Sequence, residues 1–260
     1  MTTVLAVSPH LDDAVLSYGG RLAYLAAGGT RVLIYTVFTG TPDPPYSPSA
    51  VKLHELWRLS GDPMAPRRAE DTRALAILGA TPLHGPFLDA IYRRDEHGGW
   101  VVDGSTSYRR RRMASEAALV EDVAAAVGQV IAEHGPAEVV TCSATGGHLD
   151  HVRARDATVA AARRAGTPLR CWEDLPYAVK SKHIPPLPAG VTLTGPRLEP
   201  VDAAAWQAKA QAVDCYASQH QMLMYRGRSV AELLDRHALA RGRKAGDTDR
   251  AEAAWDVTPA

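Results

Sequence analysis

The segment TVLAVSPHLDD, residues 3–13, decides the fold because an apolar run changes within it to a polar cluster. Residues 3–7 are typical of a buried strand, and residues 14–28 carry apolar side chains at helical spacing. The next apolar run, residues 32–38, is rich in β-branched and aromatic side chains, which favours a second strand parallel to the first. The segment is therefore predicted to connect a strand to a helix at the start of an α/β sheet.

The same alternation continues outward along the chain. Stretches with helical spacing are residues 50–60, 66–78, 113–134, 150–165 and 202–218, and strand-like runs are residues 138–141, 169–172 and 191–194. Alternating strands and helices favour one α/β domain with a mainly parallel sheet and helices on both faces. We assign residues 1–242 to this domain and expect the polar, alanine-rich residues 243–260 to form a flexible tail.

Composition excludes several classes of partner. The chain has 29 basic and 29 acidic residues, so its zero net charge gives no general attraction to nucleic acid or to an anionic membrane. No apolar run approaches the roughly 18 residues that a membrane span needs, and the first residues lack the basic region of a signal peptide. The three cysteines form no C-x-x-C pair, which favours a reducing, cytoplasmic location. A small-molecule substrate is the expected partner, and a homo-oligomer is compatible with the sequence.

Two clusters of histidine and aspartate follow predicted strands, SPHLDD at residues 8–13 and GGHLDH at residues 146–151. Because ligands in open parallel sheets bind beyond the carboxyl ends of the strands, the two clusters are expected to converge. A catalytic zinc usually has three protein ligands and a water molecule, and we predict that His10, Asp13 and His151 are those ligands.

The remaining residues of the two clusters suit acid and base roles. Asp12 lies beside the ligand Asp13 and is predicted to accept a proton from the metal-bound water. His148 is close enough in sequence to be oriented by Asp150, and a histidinium held by a carboxylate could stabilise an oxyanion and protonate a leaving amine. A metal, a base and an acid are the components that amide hydrolysis requires.

Structural interpretations remain open for the same residues. Aspartate is a preferred N-cap, so Asp12, Asp13 and Asp150 could each simply accept hydrogen bonds from the first backbone N–H groups of a helix. A lone histidine at a strand end is usually a polar surface residue. The combination of two clusters at two strand-to-helix junctions is what favours a shared metal site, although the same ligand set also serves Fe(II).

The motifs resemble those of a known family. His10-Leu11-Asp12-Asp13 is similar to the His-Pro-Asp-Asp signature of the LmbE-like, or PIG-L, family of N-acetylglucosaminyl deacetylases, and His148-Leu149-Asp150-His151 resembles its second signature. The resemblance covers roughly residues 3–220. Its other anchors are Ser8-Pro9, Arg67 with Glu70, Ala74, Leu78-Gly79-Ala80, Phe87-Leu88-Asp89, Glu173-Asp174-Leu175-Pro176-Tyr177, Lys209 and Tyr216-Ala217-Ser218-Gln219.

The resemblance implies a Rossmann-like three-layer sandwich, a zinc ion on His10, Asp13 and His151, and Asp12 as the base. The resemblance also implies that His148, together with Asp150, is the electrophile or acid. Leu11 replaces the family's proline, and Ala14 replaces an acidic residue after the first motif. These departures bear on the substrate more than on the chemistry.

Arg67 and Asp89 match positions that contact the sugar in the family. Each also has a structural interpretation, since Arg67 could pair with Glu70 or Asp71 on its own helix and Asp89 could simply make a turn. Trp172 and Tyr177 could likewise be core aromatic residues or sugar platforms, and for Trp172 the core is the better interpretation.

The leading hypothesis is a cytoplasmic zinc-dependent hydrolase of secondary metabolism that removes an acetyl or other acyl group from the nitrogen of an amino sugar or glycoconjugate. One alternative keeps the zinc chemistry but acts on a non-sugar amide of a natural product. The other alternative is a sugar-binding homologue without turnover. The run Arg109–Arg112 is interpreted as a solvated loop rather than as an anion-binding patch.

Overall fold

The computed structural model describes residues 1–59, 61–103, 116–224, 227–246 and 249–260, so Arg109–Arg112 lie outside the described residues. In this part of the chain the strands are β1 (Thr3–Ser8), β2 (Arg31–Thr36), β3 (Ala80–His84), β4 (Glu138–Cys142), β5 (Leu169–Trp172), β6 (Val191–Val201) and β7 (Arg250–Pro259). The helices are α1 (Asp13–Ala27), α2 (Pro48–Trp57), α3 (Met64–Ile77), α4 (Ala117–His134), α5 (Leu149–Ala165), α6 (Tyr177–Lys180), α7 (Ala203–Asp214), α8 (His220–Leu223) and α9 (Val230–Lys244). No described helix has the length and apolar character to cross a bilayer.

The sheet places the two motif-bearing strands side by side. Its strand order is β3-β2-β1-β4-β5-β7-β6, with β1 to β5 parallel and the last two strands antiparallel. Every residue of β1 is buried, as expected for a central strand that is covered on both faces. Because β2 lies on one side of β1 and β4 on the other, the connections diverge between β1 and β4 and leave a crevice at their carboxyl ends.

Helices cover both faces of the sheet, which confirms the predicted three-layer α/β fold. One apolar core packs α1, α3 and α7 against one face, and a second core packs α4 and α5 against the other. Trp172, fully buried, belongs to the first core, so its interpretation as a core residue is confirmed.

A third apolar cluster lies above the carboxyl ends of the strands. It includes Leu11 and Leu149, which occupy the same place in the two HLD motifs, together with Trp57 and Ile91. Leucine at position 11, in place of the family's proline, is thus a packing residue that attaches the first motif to the wall of the crevice.

The C-terminal residues correct one prediction. Residues 243–260 were expected to be flexible, but Arg250–Pro259 form β7, an interior strand between β5 and β6. The Glu252 carboxylate in this strand is buried and accepts hydrogen bonds from the backbone N–H groups of Gly20 and Arg21 and from Lys209. The prediction failed because alanine has a low intrinsic preference for strands. In the structure the alanine side chains of β7 are buried, and their small size lets the strand pack closely against the helix layer.

Candidate metal centre and active site

The two motifs meet at the ends of β1 and β4, as the sequence predicts. Asp13 is the point of contact: its Oδ2 lies 3.0 Å from Nδ1 of His10 and 3.2 Å from Nε2 of His151. His10 follows the end of β1, Asp13 is the first residue of α1, and His151 lies in the first turn of α5. The two strand-to-helix junctions therefore bring the three predicted ligands to one point.

In each of the two histidines, one ring nitrogen contacts a second carboxylate, that of Asp150 or Asp174. Nε2 of His10 lies 3.1 Å from Oδ2 of Asp150, and Nδ1 of His151 lies 2.6 Å from Oδ1 of Asp174. Asp174 is itself fixed by the hydroxyl of Ser143 at 2.7 Å. Such carboxylate contacts fix the tautomer and orientation of metal-ligating histidines, leaving the opposite ring nitrogen available to a cation.

The nitrogen of His151 that faces the centre fits a metal ligand. His151 is 1% exposed, and its Nε2 has no hydrogen-bond partner of acceptable geometry among the described residues. A buried nitrogen without a partner is costly, and a cation bound to it would remove that cost. The available donors, two imidazole nitrogens and one carboxylate oxygen, are those that zinc prefers.

Three other combinations of donors have ligand atoms within 4.8 Å of one another: His10 with His148 and His151, Cys142 with His151 and Asp174, and His10 with Asp89 and Asp150. The first of these shares two residues with the predicted set. His148 is the N-cap of α5, where its Nδ1 accepts a hydrogen bond of 3.2 Å from the backbone N–H of Asp150. Because that nitrogen is already occupied and Asp13 lies between the two other histidines, the set with Asp13 is the better one.

Electrostatics around the histidines favour a positive charge at the centre. Burial opposes the proton on His10, but Asp89, Asp13 and Asp150 outweigh it and raise the pKa of His10 to about 10. Burial likewise opposes the proton on His151, and Asp13 and Asp174 still raise its pKa. The pKa of His148 is lowered by burial and by the charges of His151 and His10, so this imidazole is neutral. The carboxylates thus concentrate negative charge where a metal cation would lie.

Asp12 has the environment of a base rather than of a helix cap. It occupies the N-cap position of α1, but its side chain accepts no capping hydrogen bond. Its backbone φ of 139° lies in a region that non-glycine residues rarely adopt and that costs about 1–3 kcal/mol. Burial and the neighbouring charge of Asp13 raise the pKa of Asp12 to about 8, despite the opposing charges of Arg67 and His10. The capping interpretation is therefore wrong for Asp12.

The Asp150 carboxylate was predicted to orient His148, but in the structure it contacts His10. Its carboxylate receives hydrogen bonds from the backbone N–H of Ala90 at 2.9 Å and from Arg93 at 2.7 Å, besides its contact with His10. Asp150 therefore orients His10 with its side chain, and its backbone N–H donates a hydrogen bond to His148. The expected histidinium held by the Asp150 carboxylate is replaced by a neutral His148 whose other nitrogen, Nε2, carries the proton.

Sequence reasoning missed two supporting residues. Asp174 was recognised only as part of a family segment, although its position two residues after the end of β5 could have indicated a role at the crevice. Arg93 is buried and connects Asp150 to Glu116, with 2.7 Å between Arg93 Nε and the Glu116 carboxylate. Nothing in the sequence around Arg93 indicates this contact, because it joins side chains from three separate segments.

The cavity in front of the centre has a volume of about 320 Å³ and is lined by the predicted substrate residues Arg67 and Asp89. Arg67 is buried, stacks on Trp57 at 4.5 Å, and its Nε has no hydrogen-bond partner among the described residues. The alternative interpretation, a salt bridge to Glu70 or Asp71, is not found among the described residues. Asp89 makes the expected turn through Oδ1, which accepts from Ile91 N–H, while its Oδ2 lies 3.6 Å from His10 Nε2. Both side chains can thus contact a ligand in the cavity.

We expect Asp174→Asn to weaken metal binding about 10- to 100-fold, the usual effect of removing a carboxylate behind a histidine ligand. The measurement is competition for the metal against a chelator of known affinity, with thermal melting to confirm folding. Glu173→Gln is the matched control, because Glu173 is the adjacent carboxylate and pairs with His237 at 2.7 Å instead of with the centre. Equal metal affinity of Asp174→Asn and wild type would show that Asp174 is only a packing residue.

Fold and site together define a Rossmann-like α/β protein with a candidate metal centre of two histidines and one aspartate at the switch point of its sheet. The chain belongs to the PIG-L family, described as GlcNAc-PI de-N-acetylase, whose match covers residues 5–162.

Individual relatives extend the match to the whole chain. A teicoplanin deacetylase solved in a zinc-inhibited form is 39% identical with a TM-score of 0.92, covering 100% of this chain and 99% of its own. The deacetylase of the A40926 pseudoaglycone is 42% identical with a TM-score of 0.85, covering 99% and 98%. The 2'-N-acetylparomamine deacetylase of Streptomyces fradiae is 32% identical over 67% of this chain. The chain spans 57% of the length of that relative and of another curated relative.

Proposed function

We propose that the protein is a metal-dependent N-deacetylase that hydrolyses the acetyl amide of an amino sugar carried on a larger natural product. The observation that carries this proposal is the meeting of His10, Asp13 and His151: Nε2 of His151 is buried 3.2 Å from Asp13 Oδ2 and, among the described residues, has no hydrogen-bond partner of acceptable geometry. Support for the substrate class comes from the teicoplanin and A40926 pseudoaglycone deacetylases, which align with this chain along almost their full length.

Zinc is the proposed cofactor, held by His10, Asp13 and His151. When bound there, it would polarise the amide carbonyl and lower the pKa of a bound water molecule to about 7. Fe(II) accepts the same ligand set and remains the alternative metal.

The protein's own residues would complete the hydrolysis. Asp12 accepts a proton from the attacking water while the water oxygen bonds to the carbonyl carbon, and its raised pKa suits it to hold that proton. The C–N bond then breaks, the electron pair leaves with nitrogen, and the amine takes up the proton that Asp12 held. His148, neutral and with its proton on Nε2, donates a hydrogen bond to the reacting group.

The cavity offers contacts for both the sugar and an apolar scaffold. Arg67 supplies donors and Asp89 supplies acceptors, which together suit the hydroxyl groups of a sugar. Leu53, Met222 and Leu223 line the same cavity and suit an apolar surface beyond the sugar. The three cysteines are free thiols, which supports the proposal of a cytoplasmic enzyme, while homo-oligomerisation stays a prediction.

The test is release of acetate by the zinc-loaded protein from three compounds: a pseudoaglycone bearing N-acetylglucosamine, free N-acetylglucosamine, and an acetylated amine without a sugar. We expect the highest kcat/KM for the pseudoaglycone, because only this compound can use both the polar and the apolar lining of the cavity. Turnover of the sugar-free amide alone would favour the alternative amide substrate. Tight pseudoaglycone binding without acetate release would favour a binding protein.

A further inference from the structure

Tyr177 lies beside the proposed centre and has no part in the mechanism derived above. It begins α6, three residues after Asp174, so the loop that follows β5 carries both the residue that holds His151 and this phenol. The ring of Tyr177 stands at 80° to the ring of His151 with 5.1 Å between the centroids, and 6.1 Å separates it from His148.

The space that Tyr177 occupies exists because position 146 is glycine. A Cβ built on Gly146 would lie 3.0 Å from Cβ of Tyr177 and 3.4 Å from its ring, and Gly146 has a φ of +90° that side-chain-bearing residues rarely adopt. Gly146 lies two residues before His148, the first histidine of the second motif. Because glycine has no side chain, Tyr177 from a neighbouring loop can approach both His148 and His151.

The Tyr177 hydroxyl is available to a ligand. The residue lines the cavity, and within the described residues its hydroxyl neither donates nor accepts a hydrogen bond. Burial, together with the charges of Asp13 and Asp12, raises the pKa of Tyr177 above its ordinary value. The phenol therefore stays protonated near neutral pH, so it can donate a hydrogen bond.

We propose that Tyr177 is a further catalytic residue, whose O–H donates a hydrogen bond to the oxyanion that forms when water adds to the amide carbonyl. In that step the water oxygen bonds to carbon, the π pair of the carbonyl moves to oxygen, and Asp12 takes the proton. The Tyr177 proton stays on the phenol throughout. This inference rests on the proposed deacetylase function and adds a second protein donor beside His148.

The first test is the kinetics of Tyr177→Phe, which keeps the ring against Gly146 and His151 and removes only the hydroxyl. We expect kcat for acetate release to fall about 10²-fold, as for the loss of one oxyanion donor, while KM and the melting temperature stay unchanged. Tyr24→Phe is the control, because Tyr24 is 43% exposed and should retain wild-type kinetics. For an N-trifluoroacetyl substrate, whose carbonyl is already activated, the loss should be smaller.

The second test measures binding without turnover, using a methylphosphonamidate of glucosamine as a tetrahedral mimic and acetate as its planar counterpart. Calorimetry on the zinc-loaded protein should show weaker binding of the phosphonamidate to Tyr177→Phe and equal binding of acetate. If wild type releases no acetate from any amide, the proposed function fails while this measurement still reports on Tyr177. Wild-type turnover with an unchanged kcat and unchanged phosphonamidate binding in Tyr177→Phe would overturn the inference alone.

Discussion

Replacing Asp12 by asparagine is expected to lower kcat for deacetylation by about 10²- to 10⁴-fold, the range that a positioned general base contributes. Asparagine keeps the shape of the side chain but cannot accept the proton of the attacking water. The metal should remain, because the three proposed ligands are His10, Asp13 and His151. Acetate release and elemental analysis on the same preparation measure the two properties together.

Stability separates a catalytic role of Asp12 from a structural one. Removing one of two adjacent buried carboxylates relieves repulsion with Asp13, and asparagine tolerates positive φ better than most residues, so the melting temperature should not fall. Asp202→Asn is the control: Asp202 is the N-cap of α7, where it accepts from Ala205 N–H, and asparagine caps equally well. Turnover of Asp12→Asn within a few-fold of wild type, with the metal retained, would show that another group is the base.

The convergence of the two motifs could be predicted because it follows from a rule about parallel sheets. Strands β1 and β4 are separated by most of the first half of the chain, yet their carboxyl ends must meet at one edge of the sheet. Local sequence was enough to place His10 and His151 at those ends. It also led to the prediction that Asp13, and not its neighbour Asp12, is a ligand, since successive residues of a turn point in different directions; this assignment stays a prediction.

Contacts that depend on packing could not be predicted. The partner of the Asp150 carboxylate was expected to be His148, two residues away, but the start of α5 turns this carboxylate toward His10 and Arg93. The partner of His151, Asp174, comes from the loop after a third strand, β5, and the distance between the two side chains depends on how β4 and β5 pair. A sequence pattern fixes the direction of a strand, whereas these contacts require the relative positions of three elements.

The strongest test of the centre itself is the metal content of His151→Ala beside that of His10→Ala. We expect about one metal ion per chain in wild type and essentially none in either variant, because a mononuclear site normally needs all of its three protein ligands. His97→Ala is the control, since the His97 side chain is 84% exposed and distant in sequence from both motifs. Elemental analysis of protein that has been dialysed against zinc and then against buffer gives the measurement.

The pair of variants tests the shared site rather than either histidine alone. His10 belongs to the first motif and His151 to the second, so loss of the metal in both variants means that the two motifs hold a single ion. Removing His151 also leaves the buried Asp174 without its 2.6 Å partner, and circular dichroism must therefore show that the variant is folded. A folded His151→Ala protein that keeps its metal while His10→Ala loses it would place the ion on the first motif and on a donor other than His151. That result would leave unexplained why Nε2 of His151 has no hydrogen bond among the described residues, and it would remove the observation on which the proposed hydrolase rests.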